Sequence, residues 1–423
     1  MPAAISSQPA EVASRRCERY ADIRFASEIL AAPLTPEDQC LQSMPDASPT
    51  KWHMAHTTWF FETFVLQKFE KGYSVYHPRF NYLFNSYYEA VGQRHPRPQR
   101  GLISRPGVTE VMAYRRHVDA AIEKLLERSS EPEMLALVEL GLHHEQQHQE
   151  LMLMDIKHLF WLNPLRPAYA ASSRPSAGQT APMEWKRFEG GLSTVGHAGE
   201  AFAFDNEGPR HKVWLDPYAL ATRPITCAEY FEFIESGGYR KPEFWLSDGW
   251  AAVKEQGWDA PQYWEKNGNN WEVFTLSGMQ PVNPSEPVCH VSHYEASAFA
   301  KWAGARLPTE AEWEQAALAA VLAGYGAQNG WLHPRPAPTG PGMQRMLGDV
   351  WEWTASAYAP YPGFREAPGA LGEYNGKFMS NQMVLRGGCA VTPPDHIRIT
   401  YRNFFPPVAR WVFAGIRLAM DVT

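Results

Sequence analysis

The sequence lacks the paired cysteines of a disulfide framework. Its five cysteines are an odd number, they stand far apart, and no two of them form a CxxC pair. Widely spaced thiols of this kind are typical of the reducing cytosol rather than of secreted proteins. We therefore expect reduced cysteines and a cytoplasmic location.

Long apolar runs and an excess of positive charge are also missing. No run approaches the roughly 18 residues that a membrane-spanning helix needs, and residues 1–14 lack the basic region and apolar block of a secretory signal. The net charge of −7 and the pI near 6.1 argue against non-specific binding to nucleic acids or membrane surfaces, since both need a basic face. We expect small-molecule partners, with no nucleic acid and no membrane, and the oligomeric state stays open.

The composition is that of a folded chain with long loops. The 423 residues are 44% hydrophobic and 13% aromatic, and they include 16 tryptophans and 35 prolines. A chain of this length exceeds one ordinary hydrophobic core and predicts two or three domains.

The first part of the chain, residues 10–163, has helical periodicity. Ser48 and Pro49 are predicted as the N-cap and first residue of one helix, which carries the stretch KWHMAHTTWFF. Together with segments 10–34, 109–129 and 131–162, it makes four helices, the number that closes a bundle around one core.

A change of composition predicts a domain boundary. Residues 164–182 are rich in Pro, Ala, Ser and Gly and are predicted to be a linker. From residue 183 to residue 423, short β-like runs alternate with turn residues, and three helices are predicted in ITCAEYFEFIESGG, SHYEASAFAKWAG and PTEAEWEQAALAA. This pattern indicates an irregular α+β domain.

The string His144-Glu145-Gln146-Gln147-His148 satisfies the HExxH pattern of zinc proteases. Histidines four residues apart project from one face of a helix, as two ligands of one metal ion must. A protease also needs a third ligand downstream, but Met154 stands where the extended motif has a histidine, and no acidic residue lies between Asp155 and Glu184. The pattern therefore favours a metal site of another kind.

A third ligand is available on the earlier helix. His56 lies in the aromatic side of WHMAHTTWFFE, and His53, the alternative, follows Trp52 on the flank of that side. Three neutral imidazoles without a carboxylate leave coordination positions open for substrates, which indicates catalysis rather than a closed structural site. The ligand types do not choose among Fe, Zn, Co and Ni.

Two further groups could act beside such a metal. Tyr87 and Tyr88 are adjacent, and one phenol could supply a proton to reduced oxygen, although both could simply cover the end of the bundle. Arg97 and Arg100 belong to a proline-interrupted basic loop that suits bidentate capture of a carboxylate, although a solvated basic loop would have the same composition.

The motifs WHMAHTTWFFE, LFNSYYEAVG and HHEQQHQE, in that order, resemble the N-terminal domain of the ergothioneine-biosynthetic sulfoxide synthases, a DinB-like four-helix bundle. The motifs PVCHVSHYEASAFAKWAGARLPTEAEWEQAA, GDVWEWTASAY and YRNFFPPVARWVFAGIRLA are similar to the formylglycine-generating-enzyme, or C-type-lectin-like, domain of the same proteins. The resemblance covers nearly the whole chain and implies a multidomain fold, α followed by α+β.

The resemblance also implies a reaction. In the family, iron(II), O2, a thiol and the trimethylated histidine hercynine combine to form a C–S bond and a sulfoxide. By position, His56, His144 and His148 match the iron ligands, and Gln147 matches a contact to the hercynine imidazole. Tyr87 and Tyr88 match the pair found in the branch that uses free cysteine.

The motif YRNFFPP supplies residues suited to a trimethylammonium group, which aromatic faces bind best. Phe404 and Phe405 could supply those faces and Asn403 a polar anchor, with Arg410 and Trp411 as further candidates, although two consecutive phenylalanines are otherwise an ordinary core pair. We expect the active site in the crevice between the two domains, where ligand sites commonly lie.

Other activities stay open. Selenoneine synthases, which join hercynine to a selenosugar, share the two-domain plan and the three histidines, and a non-catalytic metal-containing binding protein is a further alternative. Formylglycine-generating enzymes use a C-terminal cysteine pair to bind copper. Only Cys389 lies in that region here, and it follows Gly387 and Gly388 where the sulfoxide synthases commonly have Gly-Gly-Ser.

Overall fold

A computed structural model describes residues 9–171, 180–268, 270–320, 332–366, 372 and 375–422. The chain divides into two compact units, one ending at Leu162 and the other beginning at Asn163. The predicted combination of a helical first part and a mixed α+β second part is confirmed. In the described part of the chain, no helix combines the length and apolarity needed to cross a membrane.

Helices build the first unit. The four long ones are α1 (Pro9–Ala31), α2 (Thr50–Phe60), α5 (Val108–Arg128) and α6 (Pro132–Leu162). Helix α2 continues through a π-helical turn (Phe61–Leu66) into the short α3 (Gln67–Phe69), and α4 (Phe80–Phe84) follows. Helix α1 packs on α5 and α6, and α2 packs on the same two helices. The apolar stripe of α5 is buried as its periodicity predicts: Val111, Tyr114, Val118, Ile122 and Leu125.

A buried carboxylate links three of these helices. Glu145 on α6 is fully buried, and its oxygens accept hydrogen bonds from Arg24 Nη1 at 2.6 Å, Arg115 Nη2 at 2.5 Å and Ser27 Oγ at 2.6 Å. Arg24 and Ser27 lie on α1, and Arg115 lies on α5. Breaking a buried ion pair costs several kcal/mol, so this cluster fixes the rotation of α6 about its axis.

Close approach of α2 and α6 depends on a glycine. A Cβ at Gly141 would lie 2.6 Å from Phe61 Cε1 and 3.0 Å from Phe60 Cε1. Gly141 stands one turn before His144, and Phe60 lies one turn after His56, so the absent side chain lets the two histidine-bearing helix segments pack directly. The π-helical turn begins at Phe61, and such turns are frequent near functional sites.

The predicted start of α2 is wrong by one residue. Pro49 is the N-cap, and its carbonyl accepts hydrogen bonds from the backbone amides of Trp52 and His53. Ser48 does not cap the helix. Its hydroxyl instead accepts a hydrogen bond from Arg100, and its backbone amide donates to Asp155, because these tertiary partners compete successfully with the local cap.

The second unit contains four small sheets in its described residues. Their strand orders are β1-β4-β12, β10-β9-β8-β11, β2-β3 and β5-β6-β7. The strands are β1 (Trp185–Phe188), β2 (Gly191–Val195), β3 (His211–Leu215), β4 (Tyr218–Ala221), β5 (Trp264–Asn267), β6 (Asn270–Thr275), β7 (Gly278–Pro281), β8 (Trp351–Ala357), β9 (Met383–Arg386), β10 (Asn403–Phe405), β11 (Ala414–Gly415) and β12 (Ala419–Asp421). All neighbouring strands are antiparallel except β11 and β8, which are parallel. Trp313, Tyr218 and Leu220 lie in the hydrophobic core of this unit.

The three predicted helices of the second unit are present as α7 (Cys227–Glu235), α9 (His293–Trp302) and α10 (Glu310–Leu318). Each begins at a capping box, in which a Ser or Thr hydroxyl and a Glu three residues later satisfy each other's backbone amides. The prediction missed a fourth helix, α8 (Ser247–Gln256). It has no side-chain cap at its start, and its ending, at Gly257 with φ of +66°, is a weaker signal.

The ends of the predicted linker are bonded to the second unit. The backbone amides of Tyr169 and Ala170 donate to the carbonyl of Leu276, and Thr180 Oγ1 donates to the carbonyl of Ser285. Residues 172–179, the middle of the predicted linker, lie outside the described residues.

Replacing Glu145 with Gln should lower the free energy of unfolding of the first unit by about 3–5 kcal/mol, because two buried guanidinium groups lose their carboxylate. Urea unfolding followed by circular dichroism measures the change. Glu139 is the matched control: it lies on the same helix, is one-third exposed and pairs with Arg19. Glu139→Gln should cost less than about 1 kcal/mol. Equal losses in the two variants would contradict a special role for the buried carboxylate.

Candidate metal centre

Three histidine side chains converge inside the first unit. His56 comes from α2, and His144 and His148 come from α6; one ring nitrogen of each lies within 4.8 Å of those of the others. The ring centroids are 4.6–4.9 Å apart. All three residues are buried. The structure therefore brings together the three residues that the sequence suggested as metal ligands.

The His56 ring is held on both faces and at one edge. Trp52 and Trp59 stack on its two sides, with centroid distances of 4.5 and 5.4 Å and interplanar angles of 14°. Its Nδ1 lies 2.6 Å from the carbonyl oxygen of Phe84, which can only accept, so Nδ1 carries the proton. Nε2 is buried and has no hydrogen-bond partner among the described residues, and its lone pair points into the cluster.

The His148 ring is held by a chain of two further side chains. His53 Nδ1 lies 2.7 Å from His148 Nδ1, and His53 Nε2 lies 3.1 Å from Asp155 Oδ2. The carboxylate can only accept, so with one proton on each ring, His53 donates from Nε2 and accepts at Nδ1. His148 must then donate from Nδ1, which leaves its Nε2 lone pair for a metal. Both nitrogens of His53 are engaged, so the geometry favours His56 as the third ligand.

The electrostatics keep the cluster neutral. Burial, followed by the neighbouring His144, lowers the pKa of His56 well below its ordinary value. Burial likewise lowers the pKa of His148, and it lowers the pKa of His144 to about 3 although Glu145 opposes the shift. Neutral imidazoles are the form that binds a metal, and the trio includes no carboxylate. The residues present thus fit a cation with open coordination positions.

Glu145 does not serve the metal centre as a protease base would. Burial raises its pKa, but Arg115 and Arg24 outweigh that effect and hold the pKa below its usual value. Its two oxygens are already committed to Arg24, Arg115 and Ser27. The HExxH string is therefore not used as a zinc-protease motif here.

Tyr87 and Tyr88 lie close to the cluster. Tyr88 is fully buried and its ring contacts Trp59, which itself stacks on His56. Tyr87 is half-buried, with its ring centroid 4.7 Å from that of Tyr88. Asn85 shapes this loop: its amide donates to the carbonyls of Tyr88 and Gly92, and its oxygen accepts from the Tyr88 amide. The pair is thus positioned by the loop that follows α4, the helix whose last residue supplies the Phe84 carbonyl.

The two arginines predicted to bind a carboxylate differ in their surroundings. Arg97 is exposed and donates to the carbonyl of Asp46. Arg100 is only 4% exposed, lies over the Trp52 ring at 3.4 Å, and donates to the hydroxyls of Ser48 and Ser86. In the described part of the chain no carboxylate forms an ion pair with Arg100, and its Nε has no hydrogen-bond partner. Burial and the charge of Arg97 lower the pKa of Arg100, so an incoming anion would be stabilised there.

The remaining predicted residues lie in other surroundings. Gln147 is half-buried on α6 beside His148. In the second unit, Asn403, Phe404 and Phe405 form strand β10, not a loop, and successive strand residues point to opposite faces. Phe404 stacks on Tyr358 at 4.1 Å, and Phe405 contacts Trp411 at 5.7 Å. The two phenylalanines therefore do not form one shared aromatic surface.

Arg410 is a correction to the predicted candidates. Its guanidinium forms an ion pair with Glu295 at 2.8 Å and lies over the Trp258 ring. Glu295 is the capping-box residue of α9, so Arg410 is committed to helix packing. Trp411 is half-buried, and its indole nitrogen has no hydrogen-bond partner among the described residues.

Sequence reasoning missed Asp155 and the part that Ser48 has in holding it. Asp155 lies seven residues after His148, on the same face of α6 and next to α2. That spacing was the only available signal, and it does not reveal that Ser48 and His53 both donate to Asp155 Oδ2.

Comparisons with known families match both units. The DinB superfamily matches residues 22–152. The sulfatase-modifying factor enzyme 1-like domain matches residues 173–337 and 334–422. The two segments of the sulfatase-modifying factor match together cover more than half of the chain. With the DinB match, nearly all of the chain is accounted for.

Individual relatives match about nine-tenths of the chain. It is 32% identical to the hercynine oxygenase of Mycolicibacterium thermoresistibile over 89% of this chain and 88% of the relative. It is 33% identical to the hercynine oxygenase of Mycobacterium tuberculosis, over 90% and 93%. A formylglycine-generating enzyme of Streptomyces coelicolor is 29% identical over 60% of this chain, which corresponds to one domain only. The chain therefore belongs to the hercynine oxygenase family, within the ergothioneine sulfoxide synthases.

Proposed function

We propose that the protein is an iron(II)-dependent oxygenase that joins hercynine to a thiol such as cysteine and forms a sulfoxide. One hercynine C–H, one thiol and one O2 give the C–S(O) linkage and one water, so atoms and electrons balance. The observation that carries the proposal is the buried trio His56, His144 and His148, with hydrogen-bonded Nδ1 atoms in His56 and His148 and no carboxylate. Membership of the hercynine oxygenase family supports the substrate.

The three imidazoles would hold the iron, which when bound would supply the electrons and open positions that O2 and a thiolate require. Because the ligands are neutral, the site keeps a net positive charge, which favours deprotonation of an arriving thiol. Trp52 and Trp59 prevent the His56 ring from rotating, so the ligand set is preorganised.

Arg100 would bind the carboxylate of the amino-acid thiol. It is a buried cation that lacks an ion-pair partner in the described residues, and the exposed Arg97 adds positive charge nearby. A carboxylate on Arg100 would gain a charge-assisted hydrogen bond at the Nε that is otherwise unsatisfied. A selenosugar has no carboxylate, so this feature favours a cysteine-like donor over the selenoneine alternative.

Tyr87 or Tyr88 would supply the acid. Either phenol Oη could donate a proton to reduced oxygen, and the Asn85 loop limits the movement of both rings. Gln147, beside the ligand His148, would contact the hercynine imidazole. In the second unit, Phe404, which stacks on Tyr358, would offer an aromatic face to a trimethylammonium group. Asn403 and Phe405 lie on the opposite face of β10, so they would not share that contact.

The metal-free protein should take up one iron(II) per chain and then consume O2 only when hercynine and a thiol are both present. His56→Ala should abolish the uptake of O2, because two imidazoles remain. Oxygen-electrode traces and mass spectrometry of the product test both statements. Iron-replete protein that consumes no O2 would favour a binding protein, and a selenium-containing product without a sulfoxide would favour selenoneine synthesis.

Arg100→Met should raise the KM for cysteine about 10- to 100-fold, the value of one buried charge-assisted contact. The KM for cysteamine, which is cysteine without its carboxylate, should change less than about 3-fold, because cysteamine has no carboxylate to bind Arg100. Arg94→Met is the control, because Arg94 is paired with Glu89. A rise in the KM for hercynine instead would show that Arg100 binds the other carboxylate and contradict this assignment.

Tyr87→Phe and Tyr88→Phe separate the two phenols. Loss of the acid should slow sulfoxide formation about 100- to 10,000-fold, whereas the other variant should keep most activity because the ring packing survives. Product formation measured by chromatography, with thermal unfolding as the check on folding, assigns the acid. Nearly full activity in both variants would exclude a tyrosine acid.

A further inference from the structure

We propose that His53 and Asp155 are positioning residues that hold His148 in the ring orientation and the tautomer that bind a metal. The inference rests on the metal centre proposed above and extends it to two residues outside the ligand trio. It starts from one continuous chain of contacts: Ser48 N to Asp155 Oδ2 at 2.8 Å, Asp155 Oδ2 to His53 Nε2 at 3.1 Å, and His53 Nδ1 to His148 Nδ1 at 2.7 Å.

The donor and acceptor roles along this series of hydrogen bonds are fixed at Asp155. Asp155 Oδ2 accepts from both the Ser48 amide and His53, so the proton on the outer nitrogen of His53 cannot move to the inner one without breaking a buried hydrogen bond. His53 Nδ1 is thereby kept as an acceptor. An acceptor at that place forces the His148 proton onto Nδ1 and exposes the Nε2 lone pair.

Burial strengthens the hydrogen bonds that link Asp155, His53 and His148. His53, Asp155 and His148 are 3%, 6% and 9% exposed, so water does not compete for these hydrogen bonds. His53 also sits edge-on to Trp52, which in addition contacts the stacked His56 ring and the guanidinium of Arg100. The ring of His53 is therefore confined, and its hydrogen bond to His148 fixes the orientation of the His148 ring.

His53 is not a substitute ligand. A ligand must present a lone pair to the metal, and both of its nitrogens are hydrogen-bonded in this arrangement. A ligating histidine usually donates its other ring N–H to an acceptor that fixes the ring orientation and raises ligand basicity, and loss of that acceptor typically lowers metal affinity by about 10- to 100-fold. Here the acceptor is His53, which Asp155 holds in turn.

The test uses cobalt(II), whose visible spectrum reports ligand geometry, in titrations of the metal-free full-length protein. His53→Phe removes both hydrogen bonds and should weaken cobalt(II) binding about 10- to 100-fold and change the spectrum. In His53→Asn the amide oxygen can replace Nδ1 as the acceptor for His148, so this variant should recover most of the affinity and the spectrum. Asp155→Ala should shift both in the same direction as His53→Phe.

His143→Phe is the matched control, because His143 is also a buried histidine of α6 but bonds to Glu139. It should leave the cobalt(II) affinity and spectrum unchanged, and urea unfolding shows whether each variant folds. Unchanged affinity and spectrum in folded His53→Phe would overturn the inference while leaving the metal centre intact. Wild-type protein that binds no cobalt(II) would instead overturn the metal centre itself.

Discussion

The buried ion cluster around Glu145 is the constraint on which the geometry of the candidate metal centre depends. Apolar contacts between helices tolerate small rotations, but a buried carboxylate must meet its cations. Arg24, Arg115 and Ser27 draw Glu145 toward α1 and α5. Because adjacent helical residues point about 100° apart, His144 is then turned toward α2. The same contacts that stabilise the bundle thus aim its ligands.

In this arrangement, the buried carboxylates of Glu145 and Asp155 bond to groups other than the three imidazoles. Glu145, which follows His144 in the sequence, is neutralised by Arg24 and Arg115, and Asp155 is separated from the three imidazoles by His53. On the other side of Trp52 lies Arg100, a cation with no ion-pair partner in the described residues. The interior is therefore short of negative charge at two neighbouring places, which is consistent with the proposed binding of a thiolate at one and a carboxylate at the other.

The sequence predicted what depends on local pattern. The four long helices of the first unit follow from periodicity, and α7, α9 and α10 follow from capping boxes. His144 and His148 follow from spacing on one helix. Features set by tertiary contacts were not predictable. Pro49 is the N-cap of α2 because Ser48 is bonded elsewhere, and Arg410 forms an ion pair with Glu295. Phe404 and Phe405 point to opposite faces because they are successive residues of strand β10. Helix α8 was not predicted because it lacks a side-chain cap.

The choice between His53 and His56 shows where such limits lie. Both histidines are on α2, three residues apart, and both are buried, so burial does not rank them. Periodicity only places His53 on the flank of the aromatic side. The difference is the partner of the second ring nitrogen. His56 donates Nδ1–H to a carbonyl and keeps a lone pair on Nε2, whereas His53 is held by an acid on one side and by His148 on the other. The Phe84 carbonyl that decides the matter is 28 residues away in the chain. The candidate ligand is thus distinguished by a backbone carbonyl that the fold brings to it, and two identical side chains on one helix have different hydrogen-bonding roles.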